Sequence, residues 1–197
     1  MANALQVVRS ELILGGQKSG KSRRAEALAQ AWLAKSADHT AVLIATAQPW
    51  DDEMRQRIAR HQADRAQRVP GMTTVEEPLQ LAQAISVHSR SDALIVVDCL
   101  TLWLTNWLMP VDAGVGAGVP AALGYQTQLA QFLKAIEHAC GPVVLVGNEI
   151  GMGVIPLGSE VRAFVDALGL LNQQVAAVCQ RVTLMAAGLP LTLKDRL

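Results

Sequence analysis

The eight residues Gly15-Gly16-Gln17-Lys18-Ser19-Gly20-Lys21-Ser22 have the types and the spacing needed to grip a polyphosphate. They satisfy G-x-x-x-x-G-K-[ST] directly after an apolar run and before a helix-forming one. Glycines let the backbone curl until successive N–H groups point inward at phosphate oxygens, and the helix that follows adds the positive end of its dipole. In this pattern Lys21 holds the β- and γ-phosphates and Ser22 ligates Mg²⁺. The plain alternative is a glycine-rich turn with an exposed lysine. The strand-loop-helix setting favours nucleoside triphosphate binding over it.

Other residues have the right chemistry but need a partner site. Asp98 ends the apolar run that starts at Ala93, where a carboxylate at the carboxyl edge of a parallel sheet can approach Mg²⁺. It could instead cap the segment beginning near Leu100, a role worth about 1 kcal/mol. His61 follows Met54 and Ile58 on one face of a segment that opens with Asp51, Asp52 and Glu53. It is either a histidine at the margin of an apolar stripe or a neutral imidazole able to attack an α-phosphate and carry a nucleotide covalently. Asn148-Glu149-Ile150-Gly151-Met152-Gly153 follows another apolar run, as a catalytic-edge loop or as a simple strand-end turn. Glu149 could there position substrate or contact metal or water.

The motifs Gly-Gly-x-x-Ser-Gly-Lys-Ser-Arg, Ala45-Thr46-Ala47-Gln48, Asp51-Asp52-Glu53-Met54, Arg57-Ile58-x-x-His61, Thr74-Val75-Glu76-Glu77-Pro78 and Asn148-Glu149-Ile150-Gly151-Met152-Gly153 occur in the order found in one enzyme family. From about Glu11 to the C-terminus the chain resembles the bifunctional adenosylcobinamide kinase and adenosylcobinamide-phosphate guanylyltransferase family. A Walker A motif alone is weak ground for a family, but its combination with D-D-E-M, R-I-x-x-H and N-E-x-G-M-G is highly specific.

The resemblance implies a P-loop fold related to the RecA group and two activities on one chain. One phosphorylates adenosylcobinamide with ATP or GTP. The other moves GMP from GTP to that phosphate, with the histidine matching His61 carrying GMP. It also implies nucleotide contacts at Gly15 to Ser22, at Thr46, Ala47 and Gln48, at Gln62, Ala63, Asp64 and Arg65, and at Glu76 and Asp98, and it implies a trimer. Glu76 could accept from a ribose or from guanine N1–H and N2–H₂, or be an exposed acid before a helix. The chain departs from the pattern at Met72, where tryptophan is common, at Gln62, where a basic residue is common, and at Arg60, where a second histidine is frequent. His61 is left as the candidate nucleophile of its helix.

Positioning these groups requires strands that end at one edge. Strand-like runs recur at Glu11 to Leu14, Ala41 to Ala45, Ala93 to Asp98, Val143 to Gly147 and Val182 to Met185. Helical segments are expected at Ser22 to Lys35, Asp51 to Ala66, Pro78 to His88, Pro120 to Ala139 and Ser159 to Cys179. The alternation predicts an α/β fold, a mostly parallel sheet with helices on both faces, and one domain spanning residues 1–197. Leu94-Ile95-Val96-Val97 and Val143-Val144-Leu145-Val146 lack polar alternation and are expected to be central strands. Pro110 to Pro120, with glycines at 114, 116 and 118, is expected to be a mobile excursion or a loop packed on a neighbour.

Composition bounds the rest. Apolar residues make up 51% and charged residues 17%, enough burial to outweigh chain entropy. Seventeen basic residues balance seventeen acidic ones, so no net positive field gathers nucleic acid or anionic lipid. The three cysteines are odd in number and never paired as C-x-x-C, which fits a reduced cytoplasm better than disulfides or a thiolate metal site. His39, His88 and His138 lack ligand spacing and are expected at the surface; Trp103 and Trp107 share a helix face and are expected in the core or at an interface. No signal-peptide order and no bilayer-length apolar run is present. The competing functions are a P-loop small-molecule kinase without guanylylation and a nucleotide-gated regulatory module, separable by whether His61 becomes covalently labelled.

Overall fold

The computed structural model describes residues 5–109 and 121–196, so the glycine-rich stretch from Pro110 to Pro120 lies outside the described residues. In chain order the elements are β1 (Ser10–Gly15), α1 (Lys21–Leu33), β2 (Thr40–Ala45), α2 (Asp52–Arg68), β3 (Met72–Glu76), α3 (Leu81–His88), β4 (Ala93–Asp98), α4 (Leu100–Leu108), α5 (Ala121–His138), β5 (Val143–Val146), α6 (Ser159–Val178), β6 (Arg181–Ala186) and β7 (Leu189–Asp195). They build a seven-stranded sheet in the order β3-β2-β4-β5-β1-β6-β7. Every pairing is parallel except β6 with β7.

Side-chain alternation along the strands explains why both faces are covered. Leu12, Leu14, Ile95, Val97, Val143 and Leu145 pack with α3, α4, α5 and α6 on one face. Their neighbours Ile13, Leu94, Val96, Val144 and Val146 pack with Ala25, Leu28 and Ala29 of α1 on the other. Each such side chain contributes roughly 1.5–3 kcal/mol by leaving water, and no position on β4 or β5 before Asp98 is free for a polar residue. β4 and β5 are central, as their unbroken apolar runs require.

Two strands and one helix escape sequence periodicity. β3 is an edge strand whose residues are half-buried or exposed, so M-T-T-V-E carries no clear alternation. β7 contains Pro190, which an interior strand would not tolerate but an edge strand does. α4 is apolar nearly all round; its Trp103 is fully buried, tilted against Tyr125 and Phe132, with its indole N–H donating to the Leu79 carbonyl at 2.9 Å. α3 begins at Leu81 rather than Pro78, because the Glu77 carboxylate accepts from the N–H groups of Leu79 and Gln80 and holds those residues in a turn. His39 is half-buried and stacked on Trp32 at 3.9 Å, a correction to its expected surface position.

A buried ionic cluster fixes α1 beneath the phosphate loop. Glu11 of β1 accepts from Arg24 Nε at 2.8 Å and from Thr183 Oγ1 at 2.8 Å, with Arg181 Nη1 at 3.7 Å from its other oxygen. Arg181 is itself paired with Asp195 of β7. The first turn of α1, the P-loop strand and the C-terminal hairpin are thereby tied together.

Candidate nucleotide-transfer site

The carboxyl ends of β1, β4 and β5 meet at one edge, and β5 lies between the other two. Gly15 ends β1 with φ 151°, and a Cβ there would lie 2.5 Å from the Met185 carbonyl oxygen and 2.6 Å from Ser19 Oγ. Gly20 has φ 101°, and its Cβ would lie 3.2 Å from Gly188 Cα. Both positions need glycine for conformation, Gly15 also for the close approach of β6 and Gly20 for that of the β6–β7 turn, whose Gly188 N–H donates to the Ser19 carbonyl at 3.0 Å.

Gly20 is the N-cap of α1 and provides no side-chain cap, and the first turn holds no acid. The orphan N–H groups of the helix are therefore left for an anion. Gly16, Gln17 and Lys18 are exposed around this mouth, while Ser19 and Ser22 are half-buried. Lys21 is buried, and its ammonium donates to the Gly16 carbonyl at 2.6 Å. Burial lowers its pKa from the ordinary lysine value, while the charges of Cys99 and Asp98 pull it back up.

Asp98 stands at the end of β4 and is half-buried, and its side chain makes no hydrogen bond among the described residues. The N-cap of α4 is Cys99 rather than Asp98, and no side chain caps that helix, so the capping alternative for Asp98 fails. Burial pushes the Cys99 thiol up to about 11, with the adjacent Asp98 charge adding to the effect. It is a neutral thiol at physiological pH and no competitor as a nucleophile. Among the described residues no group of three His, Cys, Asp or Glu side chains could cage a metal. One carboxylate, Asp98, within electrostatic reach of Lys21, suits an ion that takes most of its ligands from phosphate and water.

Thr46 is placed behind this edge. It is fully buried; its hydroxyl donates to the Cys99 carbonyl at 2.8 Å and accepts from the Cys99 N–H at 2.9 Å. Its own N–H bonds the Asp98 carbonyl at 3.1 Å, and its carbonyl accepts from Asn106 Nδ2 at 2.9 Å. Every polar group of Thr46 is thus spent on setting the backbone around Asp98. Ala47 and Gln48 are half-buried just beyond it.

The histidine helix lies across the β2 and β3 ends. Asp51 caps α2 by accepting from the Met54 N–H at 2.7 Å. Met54 and Ile58 are half-buried, whereas His61, Gln62, Ala63 and Asp64 are exposed. Gln62 Nε2 donates to Glu76 Oε1 at 3.3 Å beside a shallow cavity of about 190 Å³ shared by Ala47, Ile58, Gln62 and Glu76. Arg65 is buried; desolvation lowers its pKa, opposed by Asp98 and then Glu26. His61 precedes Arg65 by four residues, about one turn and about 6 Å of rise.

Glu26 of α1 is a residue that sequence reasoning missed. It is buried, its pKa is raised by desolvation against the pull of Arg68 and Arg65, and its Oε2 lies 3.3 Å from Arg68 Nε without forming a hydrogen bond. Gln30 donates to the Arg68 carbonyl. The C-terminal end of α2 is thus clamped to the helix that follows the P-loop. A larger open depression of about 510 Å³, between Arg9, Glu137, Cys179 and Arg196, lies at the opposite edge of the sheet and plays no part in the site.

Residues 11–193 match the family model for cobinamide kinase / cobinamide phosphate guanyltransferase. The chain belongs to this family. It is 45% identical over 185 residues to the bifunctional adenosylcobalamin biosynthesis protein CobP of Pseudomonas aeruginosa, covering 93% of this chain and 96% of that one. It is 35% and 34% identical over 191 residues to the bifunctional adenosylcobalamin biosynthesis proteins CobU of Escherichia coli and Salmonella typhimurium, each alignment covering 93% of this chain and 98% of the relative. A solved ATPase domain superposes with a TM-score of 0.55 over 95% of this chain and 77% of its own length, at 10% identity, which shows the shared P-loop fold alone. As a cobinamide kinase/guanyltransferase family member the chain is an enzyme of phosphorus-group transfer, and no helix among its described residues is long and apolar enough to cross a membrane.

Proposed function

We propose that the chain phosphorylates the aminopropanol hydroxyl of adenosylcobinamide with ATP or GTP, and then transfers GMP from GTP to that phosphate through a covalent GMP–His61. The observation that supports this reading is Arg65, buried on the histidine helix and within the electrostatic reach of Asp98 at the end of β4, with His61 exposed one helical turn before it.

In the first reaction the substrate hydroxyl oxygen attacks the γ-phosphorus, its proton passes to a phosphate oxygen or to water, the bond to the β-phosphate oxygen breaks and the nucleoside diphosphate leaves. Lys21 and the N–H groups from Gly15 to Ser22 stabilise the departing charge. In the second, a ring nitrogen of His61 attacks the α-phosphorus of GTP and pyrophosphate leaves into the same cradle. The phosphate of the substrate then displaces the imidazole. Ser22 and Asp98 would hold Mg²⁺, which supplies charge neutralisation on the phosphate oxygens when bound.

Glu76, at the edge of the α2–β3 cavity, has acceptor oxygens suited to guanine N1–H and N2–H₂. Ala47 and Gln62 line that cavity with Glu76, and the family resemblance adds Gln48, Ala63, Asp64 and Arg65 to the nucleotide contacts, while Thr46 supports the backbone around Asp98. The reading includes a homo-oligomer, a trimer by family resemblance, which sedimentation of the purified chain measures. Substitution of His61 by Ala tests the function: conversion of GTP and adenosylcobinamide to adenosylcobinamide-GDP should cease while adenosylcobinamide phosphate still forms. Continued GMP transfer by this variant would overturn the reading.

A further inference from the structure

The loop that leaves β5 is anchored at its root and apolar beyond it. The Asn148 N–H donates to Thr101 Oγ1 at 2.9 Å, the Asn148 carbonyl accepts from Asn172 Nδ2 at 3.0 Å, and the Glu149 N–H donates to the Gly15 carbonyl at 3.1 Å. Because β5 sits between β1 and β4, this root emerges between the P-loop and Asp98, where the γ-phosphate must lie. Beyond it Ile150, Met152, Val154, Ile155 and Leu157 are 41%, 79%, 97%, 77% and 98% exposed.

Between Asn148 and Gly158 the sole charged side chain is Glu149, and its carboxylate is turned back onto the Gly151 N–H at 2.8 Å. The far end is not loose, since Arg162 Nη1 of α6 donates to the Pro156 carbonyl at 2.9 Å. A run of exposed apolar side chains this dense marks a binding surface. A nucleotide does not account for it, because phosphates and a sugar offer such a surface little to bury.

We propose that residues 150–157 form the platform on which the corrin macrocycle of the acceptor lies, with its aminopropanol arm directed between the P-loop and Asp98. The inference rests on the proposed two-step reaction. A corrin ring has a broad, methyl-studded rim, which an exposed, uncharged apolar strip can cover. The position is set by the chemistry: the acceptor hydroxyl must approach the γ-phosphate from the side not occupied by the β-phosphate.

The variant Val154→Ser/Ile155→Ser/Leu157→Ser removes three of the most exposed apolar side chains without touching the phosphate site. Equilibrium dialysis of adenosylcobinamide should show at least tenfold weaker binding, and KM for adenosylcobinamide should rise by a similar factor. GTP affinity and covalent labelling of the protein by α-labelled GTP, which use no corrinoid, should remain at wild-type levels. The single variant Leu157→Ser, with the same readouts, covers failure of the triple variant to fold. Unchanged corrinoid binding in either folded variant overturns the proposal, and a change in oligomeric state with unchanged corrinoid binding assigns the surface to a second copy instead. Loss of labelling and of corrinoid binding together also overturns it, by showing a general collapse of the site. An unlabelled wild-type protein that still binds corrinoid through this loop would overturn the histidine step while leaving the platform standing.

Discussion

Lys21 sets the charge of the phosphate cradle, and its burial gives a pH signature. In the free protein its pKa is lowered by desolvation, with Cys99 and Asp98 opposing; a bound triphosphate adds negative charge and raises it. Affinity is therefore full below the pKa of the free protein and falls as pH rises through it, a proton being taken up on binding in the window between the two values. Calorimetric titration with ATP across the alkaline range should show this limb beginning below the ordinary lysine value. Lys21→Arg should flatten it, and the comparison cancels titration of the nucleotide. Lys21→Ala should reduce both transfers by roughly 10²–10³-fold. Asp98→Asn should lower Mg²⁺-dependent turnover by about 10²-fold with no loss of thermal stability, since the helix it precedes is capped at Cys99 and by no side chain. A drop in melting temperature together with full specific activity would restore the capping role. The P-loop was legible in the sequence because its chemistry is local to eight consecutive residues. The task of Thr46 was not, because its partners Cys99 and Asn106 are distant in the chain.

At the scale of elements, α2 and α1 are joined by charges and β4 is joined to β2 by Thr46. Thr46→Val keeps the shape but removes the two bonds to Cys99, leaving its N–H unpaired at that position. The expected cost is about 1–3 kcal/mol in denaturant unfolding, with turnover reduced more than GTP affinity because Asp98 is displaced. Equal stability and turnover would show that the Cys99 backbone is fixed by other means. Glu11→Ala should destabilise the fold by about 3 kcal/mol, since it leaves the half-buried Arg24 without its carboxylate while Arg181 keeps only Asp195. The central strands and every helix but α4 were legible from periodicity, start signals and unbroken apolar runs, and α4 was not because it is apolar nearly all round. β3 and β7 were not, because an edge strand need not alternate and can carry a proline, and the Glu26 clamp has no spacing signal at all in the chain.

For the whole molecule, the strand order decides what the sequence could only place in a row. It brings Gly15, Asp98 and Asn148 to one edge with β5 between β1 and β4, and Gln62 of α2 meets Glu76 at the end of β3, with His61 exposed beside it. Exposure of His61, with no partner among the described residues, suits a group that must meet a substrate phosphorus rather than pack in the core. The central claim is that this imidazole carries GMP. Incubation of the protein with α-labelled and, separately, γ-labelled GTP in the absence of adenosylcobinamide tests it most directly. The account predicts a protein-bound label from α-labelled GTP alone, labile in acid and stable in alkali as a phosphorus–nitrogen bond is, and absent from His61→Ala and His61→Asn. A label that persists in both variants, or wild-type protein that transfers GMP without ever becoming labelled, would contradict it.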